Sequence, residues 1–454
     1  MGPNSISCSR RRGLPAGLLL GAVAAAGLLA GGCRPAPVGQ VHIIHLAHHP
    51  MPALSAGLGL GAFVSSSGAV YTWAVEDLKD DGESGLTARS DLVYTPPEGR
   101  TVLALSLCPV ADRPYLALAE GPAAVGAVPG SGGNADRVII VNLGSGTVYD
   151  SMPDGPWRQV YDFQWSADGT ELFVKGCPAA VLEVGPAGAR VSWDLGGLGA
   201  GGEAAREPLL APDFSRVAYS LWSSVDEEDL WVLDRGPGAA APVRLTTGNV
   251  GGYPVAWLGG AADGSEPQGA RYILVTLGAI STGGGTPSGL AVADAASGRL
   301  DVWYPEGLTA FRAVLVDPGG RSALVWSFNS MTGEGGRVFW RDPGTGVETP
   351  VPALDGLRVC GRAAAVGDGK AVVLLSRVDS PGYEVWWTAG DGSAGRVGTI
   401  EGDVNAYLLG EVGGRAFVLT TPSRLVEGEP PATLHAVDVA AGAILKVEFL
   451  VEIQ

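Results

Sequence analysis

The stretch FQWSADGTELFV, residues 163–174, contains the local pattern that decides the fold. Two runs of β-favouring residues flank SADG, residues 166–169, whose Asp and Gly are typical of a tight turn. A strand, a turn and a second strand are therefore predicted here. The same arrangement recurs elsewhere, as in LLAPDFSRVAYS from Leu209, AVLVDPGGRSALVWS from Ala313 and YLLGEVGGRAFVLT from Tyr407.

This unit repeats eight times, at steps of 44 to 56 residues. A second hairpin follows the first in most units, as in RVIIVNLGSGTVYD from Arg137 and LHAVDVAAGAILKVEF from Leu434. Each unit is thus predicted to be a four-stranded antiparallel meander, and repeats of this length are typical of β-propeller blades. We predict an all-β propeller with eight blades. Seven blades remain an alternative, because residues 91–110 leave little room for two separate strands.

The repeats resemble the TolB-type and WD-type propeller repeats, most clearly in SADGTELFV from Ser166, and the resemblance covers roughly residues 57–450. It implies a propeller fold. It does not imply one function, because such repeats occur in adaptors, sensors, transport accessories and enzymes. A β-sandwich is the structural alternative, but it does not predict a tetrad of strands that repeats along the chain.

The N-terminus has the order of an export signal. Arg10, Arg11 and Arg12 precede an apolar run from Leu14 to Ala30, and AGGC ends at Cys33. That tetrapeptide resembles the lipobox of bacterial lipoproteins, with Ala where Leu is usual, which implies a diacylglycerol on Cys33. A transmembrane anchor or a signal without lipid is the alternative, although the apolar run is short for a span.

These features predict a signal peptide at 1–32, a tether at 33–56 and a propeller domain at 57–454. The protein is expected to be exported and held by its lipid on the extracytoplasmic side of a bacterial membrane. Without residues 1–32 the chain keeps 27 basic and 47 acidic residues, a net charge of −20. Nucleic acid is therefore not expected as a partner.

Two segments have residue types that bind metals. HIIHLAHHP contains His42, His45, His48 and His49, whose imidazoles could bind zinc. VHIIHL also reads as a short strand, and no acidic residues lie nearby to orient the rings. DLKDDGESG contains Asp77, Asp80, Asp81 and Glu83, which could bind calcium, although their spacing differs from an EF-hand loop and a solvated acidic loop is the alternative. No cofactor is firmly predicted.

The connections predicted at the two faces of the propeller differ in length. Links after the first and third strands of a unit are mostly short, whereas long Gly-rich links follow some second strands, such as those from Glu120 and Leu277. We expect the long-loop face to carry interactions. SSVDEEDLW, predicted on that face, supplies an acidic group that could bind a cationic partner or be merely solvated: Asp226, Glu227, Glu228 and Asp229.

The three internal cysteines are predicted to be free thiols. Cys108 falls on the face opposite Cys177, and Cys360 falls in a distant blade. His435, in the strand LHAVDV, is predicted to be a packed strand residue. Most tryptophans are expected to pack between blades.

The sequence favours a non-catalytic, lipid-anchored scaffold that binds an envelope protein, a peptide or a glycan. An enzyme with a metal or acidic site near the propeller axis is the alternative. Prolyl oligopeptidase relatives append an α/β-hydrolase domain to a propeller, but this chain ends with its last predicted blade and has no G-x-S-x-G motif. That enzyme class is not expected.

Overall fold

The SADG tetrapeptide forms the predicted turn. The carboxylate of Asp168 accepts hydrogen bonds from the hydroxyl of Ser166 (2.7 Å) and the backbone N–H of Thr170 (3.0 Å). These contacts, the Thr170 N–H foremost, lower the pKa of Asp168. Gly169 has φ +67°, the left-handed conformation in which glycine has no steric penalty. The turn therefore reverses the chain between two strands.

A computed structural model describes the chain from residue 40 to residue 453 with internal gaps. The gaps are residues 48–49, 83–84, 124–133, 152–156, 158, 197, 199–205, 225–226, 237–240, 247–251, 259–270, 278–288, 305–308, 316–322, 330–331, 333, 343–344, 367–368, 377–380 and 424–431. Cys33 lies outside the described residues.

The described residues are almost all in strands and their turns. The first ten strands are β1 (Gln40–Ile44), β2 (Ala53–Ser55), β3 (Leu60–Val64), β4 (Val70–Ala74), β5 (Lys79–Asp80), β6 (Gly85–Tyr94), β7 (Arg100–Leu107), β8 (Tyr115–Pro122), β9 (Arg137–Asn142) and β10 (Thr147–Asp150). Two single-turn 3₁₀ helices are described, Val75–Asp77 and Pro352–Leu354.

The next twelve strands are β11 (Gln159–Trp165), β12 (Glu171–Cys177), β13 (Ala180–Gly185), β14 (Gly188–Asp194), β15 (Arg206–Leu210), β16 (Arg216–Ser224), β17 (Glu227–Asp234), β18 (Val243–Arg244), β19 (Gly252–Leu258), β20 (Tyr272–Leu277), β21 (Gly289–Asp294) and β22 (Leu300–Tyr304). The last twelve are β23 (Thr309–Leu315), β24 (Ala323–Asn329), β25 (Gly335–Arg341), β26 (Glu348–Pro350), β27 (Arg358–Ala365), β28 (Lys370–Ser376), β29 (Tyr383–Ala389), β30 (Ala394–Ile400), β31 (Val404–Val412), β32 (Arg415–Pro422), β33 (Thr433–Asp438) and β34 (Ala443–Ile453).

Six sheets each contain four consecutive antiparallel strands, from β7–β10 through β27–β30. The other strands form one ten-stranded sheet, which we call the closing sheet, with the path β2-β3-β4-β6-β34-β33-β32-β31. Buried apolar clusters join each sheet to the next, and the first half of the closing sheet packs on β7–β10 while its second half packs on β27–β30. The sheets therefore follow one another face to face in a ring.

The two ends of the ring meet inside the closing sheet. β6 and β34 pair in parallel from Gly85–Lys446 to Arg89–Leu450. The two halves then enclose an aromatic cluster, in which the ring centroids of Phe63 and Phe449 lie 4.4 Å apart and those of Trp73 and Phe417 lie 5.3 Å apart. Strand pairing and aromatic burial together join the first and last strands of the ring.

The segment predicted to be a tether is partly strand. β1 pairs antiparallel with β34, from Gln40–Ile453 to Ile44–Phe449, and β2 pairs with β3. The prediction that VHIIHL forms a short strand is confirmed for residues 41–44. Residues 40–44 and 53–55, which lie before the predicted domain start at 57, are thus paired within the closing sheet.

Two indoles bridge neighbouring sheets, in line with the predicted packing of tryptophans between blades. Trp257 donates from Nε1 to the carbonyl of Leu209 (3.0 Å), and Trp340 donates to the hydroxyl of Thr388 (3.1 Å). Cys108 is buried and free, and burial raises the pKa of its thiol. The side chains of Cys177 and Cys360 lie outside the described part of the chain, so their predicted free state stays a prediction.

Candidate functional site

The predicted histidine cluster is only partly described. His42 in β1 and His45 just after it are both exposed, and His48 and His49 lie outside the described residues. Within the described ranges, no group of three His, Cys, Asp or Glu side chains is arranged to hold a metal ion. Zinc binding by this segment stays a prediction.

The acidic segment near residue 80 uses its carboxylates to hold a turn. Asp80 accepts a hydrogen bond from the backbone N–H of Gly82 (2.8 Å), and Asp81 accepts one from that of Gly85 (2.9 Å). Asp77 is exposed at the end of a 3₁₀ turn, and Glu83 lies outside the described residues. Calcium binding stays a prediction, because one of its four proposed ligands is not described.

The predicted acidic surface on SSVDEEDLW needs a correction at one residue. Asp229 lies in β17 with 1% of its surface exposed, forms an ion pair with Arg244 and accepts a hydrogen bond from the hydroxyl of Thr246 (3.4 Å). A buried carboxylate needs such partners because it has lost its hydration. Asp229 is therefore paired inside the sheet and is not part of an exposed acidic surface. Asp226 and the side chains of Glu227 and Glu228 are not described.

A buried ion-pair network occurs on the face where we predicted long loops. The carboxylate of Glu120 is fully buried and accepts hydrogen bonds from Arg100 Nε (2.7 Å), Arg137 Nη1 (3.0 Å) and the hydroxyl of Tyr94 (2.7 Å). Burial, together with the bond to Glu120, raises the pKa of the Tyr94 phenol. Arg137 also bonds Asp150 at 2.6 Å. The network joins β6 of the closing sheet to β7–β10.

This network could not be predicted from the sequence, because its members are far apart in the chain. Each lies at a strand end, in β6, β7, β8, β9 or β10, and only the packing of two sheets brings them together. The one available signal was a Glu at the end of the otherwise apolar run YLALAE, residues 115–120. An acid at that position is expected to be buried and hence paired.

A pocket of about 410 Å³ lies between β30 and the second half of the closing sheet. Its wall is partly apolar and partly polar: Thr399, Ile400, Glu401, Val404, Thr420, Thr433, His435, Ile444 and Lys446. The strand register explains the polar side, because His435 lies opposite Lys446 and Thr420 lies opposite Thr433. Directly opposed residues project from the same face of a sheet.

His435 is the centre of this polar side. Its Nε2 lies 3.0 Å from the hydroxyl of Thr420, which also lies 3.3 Å from the carbonyl of Thr433. Burial, with a smaller effect of Lys446, lowers the pKa of His435 to about 4, so the ring is neutral at pH 7. The structure places this residue in β33, as predicted, but beside a pocket as well as in the packed sheet.

Among the described residues, no helix is both long enough and apolar enough to cross a membrane.

No protein-family model matches the chain, and no curated protein sequence matches it. Solved structures do match. Prolyl oligopeptidase B from Galerina marginata, bound to a 25mer macrocyclization substrate, is 9% identical, with a TM-score of 0.51 over 83% of this chain and 55% of that chain. The propeller domain of the Trilobed protease from Pyrococcus furiosus is 12% identical, with a TM-score of 0.44 over 89% of this chain and 98% of that chain.

A prolyl endopeptidase is also similar, at 12% identity and a TM-score of 0.49 over 89% of this chain. The chain spans 61% of the length of that endopeptidase. At these identities the likeness shows the fold alone. The likeness to prolyl oligopeptidase B, together with the ring of four-stranded antiparallel sheets, confirms an all-β propeller.

The same matches correct the functional expectation. We expected a binding scaffold and a protein that is not an enzyme, and we set prolyl oligopeptidases aside. The similar structures are mostly peptidases, among them prolyl oligopeptidase, dipeptidyl peptidase 4 and puromycin hydrolase. The comparisons therefore contradict the expectation of a non-catalytic scaffold.

Proposed function

We propose that this chain is the propeller of an enzyme that hydrolyses peptides, of the prolyl oligopeptidase type. The observation that carries the proposal is the match to prolyl oligopeptidase B, which includes most of this chain and about half of that protein. That enzyme was solved with a peptide substrate. The propeller would then accompany the catalytic groups and limit which peptides reach them.

The described propeller is suited to such a role because its sheets form a closed ring. Apolar clusters join its sheets throughout the ring, and the β6–β34 pairing joins the ends. A closed ring excludes folded proteins by size while short peptides remain small enough to diffuse past it. We therefore expect a preference for short peptides.

The test is hydrolysis of internally quenched peptides that contain one proline, by protein purified without a tag from its native membranes. We expect cleavage next to the proline, no cleavage when alanine replaces it, and rates that fall as the peptide lengthens. A preparation from cells without the gene is the control for contaminating peptidases. Peptides that remain intact with folded protein, as judged by mass spectrometry, would overturn the proposal.

We also propose that the protein is exported and lipid-anchored through Cys33 at the extracytoplasmic side of a bacterial membrane, with a TolB-like or WD-like propeller of eight blades. The AGGC sequence supports the anchor, and the eight consecutive sets of four strands support the blade number if the closing sheet is counted as two blades. Intact mass of membrane-extracted protein tests the lipid: a peptide chain beginning at Cys33 without added lipid mass contradicts it.

A further inference from the structure

The pocket beside His435 has side chains of both charges on its wall. Lys446, on β34, is half-exposed, and its ammonium lies 3.2 Å from Glu448 on the same strand. Glu401, just after β30, is exposed and also lines the pocket. A ligand in the pocket can therefore meet a cation on one side chain and an anion on another.

The rest of the wall supplies hydrogen bonds and apolar contact. Thr399, Thr420 and Thr433 contribute hydroxyls, and Thr399 itself accepts a hydrogen bond from Arg396, outside the wall. Ile400, Val404 and Ile444 contribute the apolar part. This combination of an apolar wall with a few polar groups is typical of sites for small molecules.

A ligand of a single charge fits this wall poorly. An anion would meet Glu401 and the negative field of a chain with net charge −17, while a cation would meet Lys446. A zwitterion carries the charge opposite to each of these two side chains. The volume of about 410 Å³ lies at the lower end of the range for ligand pockets, which suits a ligand of two residues.

We propose that this pocket binds a dipeptide as a zwitterion, with its carboxylate on Lys446, its ammonium on Glu401 and an apolar side chain against Ile400, Val404 and Ile444. His435 is neutral at pH 7, so Lys446 is the cationic side chain among the described residues that line the pocket. The inference goes beyond the proposed function, because it requires reversible binding and no hydrolysis at this site.

The test is a calorimetric titration of the whole protein with alanyl-leucine, with its N-acetylated form and with its C-terminal amide. Blocking either end should weaken binding by about tenfold or more, since each block removes a charge-assisted hydrogen bond. The Lys446→Met variant should bind alanyl-leucine and its C-terminal amide with equal affinity. The Glu401→Gln variant should bind alanyl-leucine and its N-acetylated form with equal affinity. Lys79→Met and Glu183→Gln, which lie outside the pocket, are the matched controls.

Two outcomes would overturn the inference. One is the absence of binding up to about 10 mM dipeptide, a concentration that corresponds to a very weak site. The other is equal affinity for the free and blocked ligands. Mass spectrometry of the ligand after titration separates this result from the proposed function, because binding of intact dipeptide is independent of any cleavage of longer peptides.

Discussion

His435 links the stability of the fold to pH. Burial and, to a smaller extent, Lys446 lower its pKa to about 4, against about 6.5 in an unfolded chain. Below pH 6.5 the unfolded chain therefore binds a proton that the folded ring does not bind. The free energy of unfolding falls as the pH drops from 6.5 to 4, by about 3 kcal/mol at pH 4, and this contribution then levels off.

His435→Gln should remove that part of the decline, which urea unfolding at several pH values between 7 and 4 would measure. The other charged groups of the pocket, Glu401 and Lys446, remain in the variant, so the difference isolates the imidazole. His42→Gln, at an exposed position of β1, is the control for the substitution itself. The same slope in wild type and His435→Gln would contradict the prediction.

Glu120 is expected to be the most sensitive carboxylate of the described ion pairs. Glu120→Gln would remove the buried carboxylate that Arg100 and Arg137 share, and would leave them Asp136 and Asp150 as their remaining anionic partners. Removal of one partner from a buried ion pair typically costs about 3 kcal/mol or more. Glu183→Gln breaks an exposed pair with Arg190 and should change stability by less than about 1 kcal/mol. Chemical unfolding of the two variants compares them, and equal losses would refute the assignment.

The turn that contains Phe214 was predictable from the sequence, whereas the backbone conformation of Phe214 was not. In APDF, residues 211–214, it takes the turn position that Gly169 takes in SADG, and it adopts φ +55°. Its N–H donates to the carbonyl of Ala211 (2.9 Å), as the N–H of Gly169 does to that of Ser166 (3.0 Å). The turn was predictable from its Asp. The left-handed conformation of Phe214 was not predictable, because it depends on tertiary structure. The side chain is fully buried between two sheets, and that burial offsets the backbone strain.

At the scale of strands, the pairing of β6 with β34 joins the ends of the ring. Thr87 lies opposite Glu448 in this pairing. In the double variant Thr87→Cys and Glu448→Cys, a disulfide would close most of the chain into one loop. The stabilisation of the folded state by a disulfide increases with the length of the loop that it closes. We expect the oxidised form to be about 2–4 kcal/mol more stable than the reduced form.

The matched control places the two cysteines at Glu183 and Arg190, which lie opposite each other in the β13–β14 hairpin. That disulfide closes a short loop and should stabilise the fold less. Thermal unfolding of both variants, with and without reductant, makes the comparison. An equal gain in the two variants would show that joining the ring ends is not important for stability.

The positions of the strands were predicted more successfully than the pairing between strands that are distant in the chain. Turn signals between β-rich runs mark most hairpins, so the antiparallel sets of four strands followed from the sequence. The parallel β6–β34 pair did not, because a parallel pair has no turn that marks it in the sequence. The pocket was missed because Ile400 at the end of β30 meets the predicted β33–β34 hairpin, which carries His435 and Lys446, only through sheet packing.

For the whole molecule, the repeat was enough to predict a ring of sheets. It could not predict the function, because propellers serve many chemistries and the repeat reflects only the packing of each unit on the next. The predicted scaffold role rested on missing catalytic residues within the propeller. Catalysis by groups outside the propeller leaves no trace in the pattern of its strands.

The closing sheet also sets the order of events during synthesis. β1 and β6 emerge from the ribosome early, whereas β34, which pairs with both, is made only after nearly all the other strands. Until then their hydrogen-bonding edges stay open, and open edges are sites of intermolecular pairing. Because the decisive contact is so distant in the chain, we expect slow refolding from denaturant, with aggregation as its main competitor.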